Sequence, residues 1–294
     1  MFVGGIILGA IVGLDFVSSL LMPKRDPQVL VYGPPSHHVC IVFPGFSNPA
    51  GIFGEGMSSI LGHDKLILVL DPGTKMDDEQ IYQTLWRHIE LFVGPVDEFT
   101  LYGHSMGGQI GMLFKQRYER EGSKFGPIRT AVLDCSPMKP SSLQAPVPVF
   151  LVRLLMTIIW PGVLLRGTIY LGNLLSRKQM PVLHDDSVNT ARYKRYQRGI
   201  ALFNPRAWRA QMLYMLRFKA SKVEASEDEI FYIHAETATL DKLVRQIKSI
   251  QQWRKKFPNL VLVPAKVSHA WPLEQPGTYR GLFELIWRLP RRGQ

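Results

Sequence analysis

The sequence is poor in cysteine. Its only two cysteines are Cys40, within an apolar run, and Cys135, which directly follows another one. Thiols in such surroundings are usually buried. Neither a disulfide framework nor a cysteine-based metal site is indicated, and we expect no cofactor.

Low-complexity tracts and internal repeats are also lacking. Only 20% of the 294 residues are charged, whereas 46% are apolar. A chain of this composition can bury a substantial core, which excludes a disordered protein.

Acidic residues are scarce between Ser136 and Val223. This segment has fourteen basic residues against Asp185 and Asp186, so it carries +12, whereas the whole chain carries +11. The remainder of the chain is therefore close to neutral. The basic cluster Arg192 to Arg198 has no nucleic-acid-binding motif beside it, so we expect an anionic membrane surface and no nucleic acid as its partner.

One long apolar run extends from Phe2 to Met22, interrupted by Asp15. As a helix of 21 residues it would be about 32 Å long, enough to cross a bilayer core. The run predicts a membrane anchor. A signal peptide fits less well, because no basic residue precedes the run and no A-x-A site follows it; an apolar helix packed on the protein is a third interpretation. Lys24 and Arg25 follow the run, which favours a cytoplasmic location for the domain that follows it.

Short β-rich runs alternate with helix-compatible stretches in most of the remaining chain, which predicts a mostly parallel sheet flanked by helices. The predicted strands are 39–43, 65–70, 99–102, 128–133, 230–233 and 260–263, and the predicted helices are 78–92, 109–121, 240–257 and 277–289. From 140 to 227 no strand is predicted, and the composition indicates an inserted helical cap. The predicted divisions are an anchor at 1–28, a core at 29–139 and 228–294, and the cap at 140–227.

The most informative motif is Gly103-His-Ser105-Met-Gly107-Gly108, which contains G-x-S-x-G and joins a predicted strand to a predicted helix. Glycines on both sides allow a turn tight enough to expose the serine hydroxyl in a strained backbone conformation. The N-terminus of the following helix favours negative charge developing beside that hydroxyl.

This motif resembles the nucleophile elbow of the α/β-hydrolase family, and especially that of its esterase, lipase and peroxidase-like members with helical caps. Val42-Phe-Pro-Gly45-Phe46 stands where that family places its oxyanion loop. The segment from Ser268 to Pro276 is similar to the family's histidine loop. The resemblance implies an α/β-hydrolase fold with an inserted α-helical cap, to which the N-terminal apolar helix would be added.

The same resemblance implies the roles of four residues. Ser105 would be the nucleophile and His269 its base, which takes the hydroxyl proton and returns it to the leaving group. The backbone N–H groups of Phe46 and Met106 would stabilise the oxyanion.

The third member of the triad is left open. The family takes it from the loop after the penultimate strand, where this sequence has Ala238 at the position expected to hold aspartate. Three carboxylates are candidates: Asp134 at the end of a strand, Asp241 if the loop is longer than usual, and Glu236 early in that loop.

Together these features predict a serine hydrolase that cleaves a carboxylic ester of an apolar or lipid-like substrate through an acyl-enzyme. A thioesterase or peptidase could use the same machinery. A catalytically silent binding protein and a transmembrane interaction protein are the alternatives outside catalysis; the presence of both Ser105 and His269 argues against silence.

Overall fold

The computed structural model describes residues 17, 21–94, 98–121, 125–144, 150–151, 153, 190–201, 204–237, 241, 244–266 and 272–289. The strands are β1 (Gln28–Tyr32), β2 (His38–Phe43), β3 (Leu66–Asp71), β4 (Glu98–His104), β5 (Ile128–Asp134), β6 (Ile230–Ala235) and β7 (Val261–Ala265). The helices are α1 (Ala50–Leu61), α2 (Asp78–Phe92), α3 (Met106–Arg120), α4 (Thr190–Ala201), α5 (Pro205–Arg217), α6 (Gln246–Arg254) and α7 (Pro276–Arg288).

The strands form one sheet in the order β1-β3-β2-β4-β5-β6-β7. β1 runs antiparallel to β3, and every other neighbouring pair is parallel. The predicted mostly parallel sheet is thereby confirmed. Because parallel strands end at the same edge, the loops that follow β2, β4, β5, β6 and β7 all emerge on one side of the molecule.

Helices cover both faces of the sheet. Ile41 and Leu101 face α2, α3 and α6, whereas Val42 and Tyr102 face α1 and α7. The central strands are buried on both sides, which explains their unbroken apolar sequences.

Two elements had no sequence prediction. β1 is a short edge strand with a largely exposed pattern. α1 contains Gly51, Gly54 and Gly56, which lower helix propensity. Its glycines have packing roles: a Cβ on Gly54 would lie 2.4 Å from the Tyr32 ring, and one on Gly56 would lie 1.7 Å from Leu273.

The predicted helix 240–257 was wrong at its start, because α6 begins only at Gln246. The Asp241 side chain accepts a hydrogen bond from the Val244 N–H at 2.9 Å, and Val244 forms an isolated bridge with Leu143. Asp241, Val244 and Arg245 accordingly lie before the helix. Asp241 is consequently fully buried instead of lying in an exposed first helical turn.

The predicted N-terminal anchor lies outside the described residues apart from Val17, Leu21 and Met22, all of which are exposed. Within the described ranges, none of the helices combines the length and the apolar character needed to span a bilayer.

Between β5 and β6 the described residues include the helices α4 and α5, and α4 packs on α1. The Arg192 side chain donates to Ser59 Oγ at 2.9 Å, and Arg195 pairs with Glu55. Residues 154–189 lie outside the described part of the chain, so the role of 140–227 as a cap stays a prediction.

Candidate active site

Ser105 occupies the turn between β4 and α3 in a left-handed conformation, with φ +50° and ψ −119°. For a residue other than glycine such a conformation costs about 1–3 kcal/mol and persists only where the surroundings fix it. Here the Ser105 N–H donates to the Asp134 carbonyl oxygen at 2.8 Å, and Ser136 Oγ donates to the Ser105 carbonyl oxygen at 2.7 Å. Both contacts come from the end of β5, so the neighbouring strand holds the turn in its strained shape.

The three glycines of the motif lie where a side chain has no room. A Cβ on Gly103 would lie 2.5 Å from Gly108 Cα, one on Gly107 would lie 2.0 Å from the Phe43 carbonyl oxygen, and one on Gly108 would lie 2.2 Å from Ser136 Oγ. The sequence pattern therefore reflects direct contact between the turn, the end of β2 and the residues that directly follow β5.

The loop after β2 lies beside the N-terminus of α3. A Cβ on Gly107 would also lie only 2.7 Å from the Pro44 carbonyl oxygen, so the two segments are in contact. Phe46 in this loop is half-buried, and Met106 is the first residue of α3. Among the described residues no hydrogen-bond acceptor is found for the N–H of Phe46, and an N–H at the first helical position has no partner within its helix.

His269 lies outside the described residues, but the two ends of its segment are described. Gln275 Nε2 donates to the Lys266 carbonyl oxygen at 2.9 Å, which bridges the segment that carries His269. Leu273 is buried against Gly56 of α1. The segment thus leaves the sheet at the end of β7 and returns to α7, as the resemblance implied.

Asp134 ends β5 and is fully buried. Its Oδ2 accepts hydrogen bonds from Tyr102 Oη at 2.5 Å and from Tyr279 Oη at 2.9 Å, and its Oδ1 has no partner among the described residues. Burial, reinforced by the Asp134 charge, raises the pKa of both tyrosines well above the usual value. Both phenols therefore remain protonated donors.

Asp241 is a further buried carboxylate at this edge. Oδ1 accepts from the Val244 N–H, and Oδ2 accepts from the side-chain amide of Gln246. Gln246 in turn accepts from Tyr232 Oη at 3.3 Å. The orientation of the Asp241 carboxylate is consequently fixed by donors on both of its oxygens.

The remaining ionisable residues near the edge have other positions. Glu236 is exposed, and Ala238 lies outside the described residues. His104 is buried against Phe53, and its Nδ1 accepts from Asn48 Nδ2 at 3.3 Å. His234 Nδ1 lies 3.0 Å from the Ala235 carbonyl oxygen. These contacts indicate structural roles for both histidines.

Three polar residues at the site had no sequence prediction: Asn48, Tyr196 and Gln211. All three are buried, and they join the loop after β2 to α4 and α5. One signal was present for Gln211, because it shares the buried stripe of α5 with Ala207 and Met215, where a polar residue is unusual.

The comparisons with known proteins agree with this architecture. The profile of the alpha/beta hydrolase family matches residues 21–280. No curated protein matches the sequence. The chain is similar to a malate-bound thermophilic esterase from Thermogutta terrifontis, at 16% identity and a TM-score of 0.60 over 89% of this chain and 93% of the esterase.

Two further solved structures are similar at comparable distance. An esterase from Exiguobacterium antarcticum has 11% identity and a TM-score of 0.61, with 89% of this chain and 95% of that one covered. A bromoperoxidase from Bacillus anthracis has 12% identity and a TM-score of 0.58, with 92% and 98% covered. At these identities the likeness establishes the fold alone. The family profile, which covers most of the chain including the strained serine turn, shows that the chain belongs to the alpha/beta hydrolase family.

Proposed function

We propose that this protein is a serine hydrolase that cleaves a carboxylic ester through an acyl-enzyme, with Ser105 as nucleophile and His269 as base. The observation that supports this most directly is the left-handed conformation of Ser105 at the start of α3. Strain of this kind is retained where it serves a function, and here it directs a hydroxyl toward the edge of the sheet.

In the proposed reaction His269 takes the proton of Ser105 Oγ as that oxygen bonds to the ester carbonyl carbon. The carbonyl oxygen becomes an oxyanion, which accepts hydrogen bonds from the N–H groups of Phe46 and Met106. Collapse of the tetrahedral intermediate breaks the bond to the alcohol oxygen, which receives the proton from His269. Water, activated by His269, then releases the acid from Ser105 in the reverse sense.

Asp241 is the better supported partner for His269. It follows β6, which pairs with β7, and the Glu236 N–H donates to the Ala265 carbonyl oxygen at 2.9 Å. The loops that carry Asp241 and His269 therefore leave adjacent strands side by side. Asp134 ends β5, on the other side of β6 from β7.

The predicted substrate is an apolar, lipid-like ester. Support for it comes from the sequence: the Leu-, Ile- and Val-rich stretch 150–175 and the positive charge of 136–223 suit a substrate at a lipid surface. The membrane anchor remains a prediction of the same kind. A thioesterase or peptidase activity would use the same residues.

Labelling with a fluorophosphonate probe tests the nucleophile. The wild-type protein should be labelled and should hydrolyse p-nitrophenyl esters, and Ser105→Ala should abolish both. Ser221→Ala, at an exposed serine, is the matched control and should leave both unchanged. An unlabelled wild-type protein without turnover would exclude the enzymatic role and favour a binding protein. Within an acetate-to-palmitate series, a preference for the longer chains is expected.

The choice of acid is tested by comparing Asp241→Asn with Asp134→Asn. Loss of the triad acid lowers kcat by roughly 10⁴-fold in serine hydrolases. We expect a loss of that order for Asp241→Asn and a much smaller change in kcat for Asp134→Asn. The opposite ranking would assign the role to Asp134.

A further inference from the structure

Two side chains of α5 contact consecutive residues of the loop after β2. Gln211 Oε1 accepts a hydrogen bond from the Ser47 N–H at 2.9 Å. Trp208, one turn earlier, packs edge-on against Phe46, with ring centroids 5.0 Å apart. One face of α5 therefore holds both the ring of Phe46 and the backbone of its neighbour.

Ser47 is in the left-handed region, with φ +57°. A serine in this region is strained by about 1–3 kcal/mol unless its surroundings compensate. Gln211 is buried, so its hydrogen bond to the Ser47 N–H is shielded from competing water. In the described part of the chain, two hydrogen bonds hold the backbone of residues 45–48. One is this bond from the Ser47 N–H to Gln211, and the other runs from the Asn48 N–H to the Gly45 carbonyl oxygen at 3.3 Å.

α4 holds the other end of the same loop. Tyr196 Oη donates to Asn48 Oδ1 at 2.6 Å, and Asn48 Nδ2 donates to His104 Nδ1, next to the nucleophile. Gly199 lies against Pro49, since a Cβ there would lie 2.9 Å from the proline ring. A continuous buried polar chain thus runs from the inserted segment through the loop to the residue preceding Ser105.

We propose that Gln211 is a positioning residue for the oxyanion hole, with Tyr196 as its second support, so that the segment between β5 and β6 fixes the direction of the Phe46 N–H. This inference rests on the proposed function. A donor stabilises the oxyanion only when it is preorganised at about 2.7–3.1 Å from the oxygen. The Phe46 N–H belongs to the Gly45–Phe46 peptide group, and the contacts of Trp208 with the Phe46 ring and of Gln211 with the Ser47 N–H hold the residues that follow this peptide in place.

The variant Gln211→Leu keeps the volume of the side chain and removes the acceptor. We expect kcat for a p-nitrophenyl ester to fall by about 10-fold to 100-fold, below the 10²–10³-fold cost of deleting an oxyanion donor, while KM changes by less than about twofold. The inhibition constant of an alkyl boronic acid, whose serine adduct places an oxygen in the oxyanion hole, should rise in parallel with the loss of kcat. Gln211→Glu, which retains an acceptor oxygen, should recover most of the activity.

Gln116→Leu is the matched control. Gln116 also forms side-chain hydrogen bonds to a backbone, with the Glu224 N–H at 3.1 Å and the Glu224 carbonyl oxygen at 2.7 Å, but it lies on the far part of α3. It should leave kcat and boronate inhibition unchanged. Tyr196→Phe removes only a hydroxyl and keeps the test available if Gln211→Leu does not fold; kcat should fall by about 3-fold to 10-fold at constant KM.

Three results separate the possibilities. Wild-type-like kcat and boronate inhibition in Gln211→Leu and Tyr196→Phe would overturn the positioning role, and so would an equal loss in Gln116→Leu or a change confined to KM. If the wild-type protein itself showed neither fluorophosphonate labelling nor turnover, the proposed function would fail first and this inference with it. Loss of kcat and of boronate affinity together, with recovery in Gln211→Glu, would support both.

Discussion

At the scale of single residues, the site depends on positions where no side chain fits and on positions where the backbone is strained. Ser47, Ser105 and Cys135 all have positive φ, and each lies in a segment that follows a strand at the carboxyl edge of the sheet. Their conformations are fixed by contacts from neighbouring strands and helices. The strain is therefore local, whereas the residues that stabilise it are distant in sequence.

Gly107→Ala should disrupt the site. The new Cβ would meet the Phe43 carbonyl oxygen at 2.0 Å, and backbone at that position cannot move without displacing β2. We expect a loss of about 1–3 kcal/mol in the free energy of unfolding, the range for overpacking, together with loss of the proposed esterase activity. Gly281→Ala in α7, where nothing lies within 4 Å, should instead stabilise the protein by about 0.5–1 kcal/mol. Urea denaturation of both variants measures the difference; equal effects would contradict the packing argument.

Tyr279→Phe tests the strength of the hydrogen bond from this phenol to the buried Asp134 carboxylate. The phenol donates to a buried carboxylate, and hydrogen bonds to charged groups contribute about 1.5–3 kcal/mol, against about 1 kcal/mol for neutral partners. Tyr32→Phe is the comparison, because Tyr32 Oη donates to the neutral Gly51 carbonyl oxygen at 2.8 Å. We expect the larger loss of unfolding free energy for Tyr279→Phe in thermal or urea unfolding. A larger loss for Tyr32→Phe would contradict the stronger hydrogen bond expected at the carboxylate.

At the scale of elements, β2 is held to α7 by a small aromatic cluster at the edge opposite the site. His38 packs edge-on against Trp287 with ring centroids 5.4 Å apart, and its Nε2 lies 2.9 Å from Thr100 Oγ1 on β4. Burial lowers the pKa of His38, and the nearby Lys65 lowers it further. The folded protein therefore favours the neutral ring.

This contact makes stability depend on pH in a defined direction. The unfolded chain takes up a proton on His38 near pH 6.5, before the folded protein does, so the contribution is complete above about pH 6.5 and is lost as pH falls through the lower folded pKa. His38→Gln removes this titration. We expect the unfolding free energy of the wild-type protein to fall more than that of the variant between about pH 7 and pH 5. Parallel pH profiles would show that His38 titrates normally in the fold.

The sequence predicted most elements because their patterns follow from burial. Helix α2 was predicted with its observed bounds, 78–92, since its apolar residues recur at helical spacing. The structure adds the Asp77 side chain, which caps the start of this helix. β1 and α1 were missed because an exposed edge strand has little apolar signal and glycine-rich α1 is helical only through close packing on Tyr32 and Leu273.

The turn at Ser105 could be predicted from its sequence motif, whereas the features of the site that depend on tertiary contacts could not. Ser105 was identified from glycines whose spacing matches a single kind of turn. The buried state of Asp241 was not predictable, because it depends on hydrogen bonds to Val244 and Gln246 in a loop that resembles a helix start in sequence. Gln211 and Tyr196 were missed because their partners lie more than a hundred residues away.

At the scale of the whole molecule, positive charge is concentrated in one region. Residues 190–222 contain nine basic residues and no acidic one, and although Glu55 and Asp78 pair with Arg195 and Lys222, Lys194, Arg198, Arg217 and Lys219 remain exposed. We predict that this region attracts anionic lipid headgroups and that the attraction weakens as salt screens it.

Vesicle co-sedimentation tests the predicted partner. The protein should bind phosphatidylserine-containing vesicles at about 0.05 M salt and be released at about 0.5 M, because the Debye length shrinks several-fold between them. The variant Lys194→Glu/Arg198→Glu should bind less, whereas Lys255→Glu/Lys256→Glu, outside this region, is the matched control. Equal binding to purely zwitterionic vesicles would show that the charge is not responsible.

Because the two thiols are buried, the rates at which they are modified report how the molecule opens. Cys40 lies within β2 and Cys135 directly after β5, on either side of the nucleophile strand β4, and both are fully inaccessible. Burial raises the pKa of Cys40 to about 12, and burial likewise raises that of Cys135 well above its usual value, so neither thiol forms the reactive thiolate while the sheet is closed. An alkylating reagent should therefore modify each cysteine only at the rate at which its own part of the sheet exposes it. Two alkylation rates that coincide would mean that the sheet opens as one cooperative unit; a faster rate at one cysteine would identify the half that opens first.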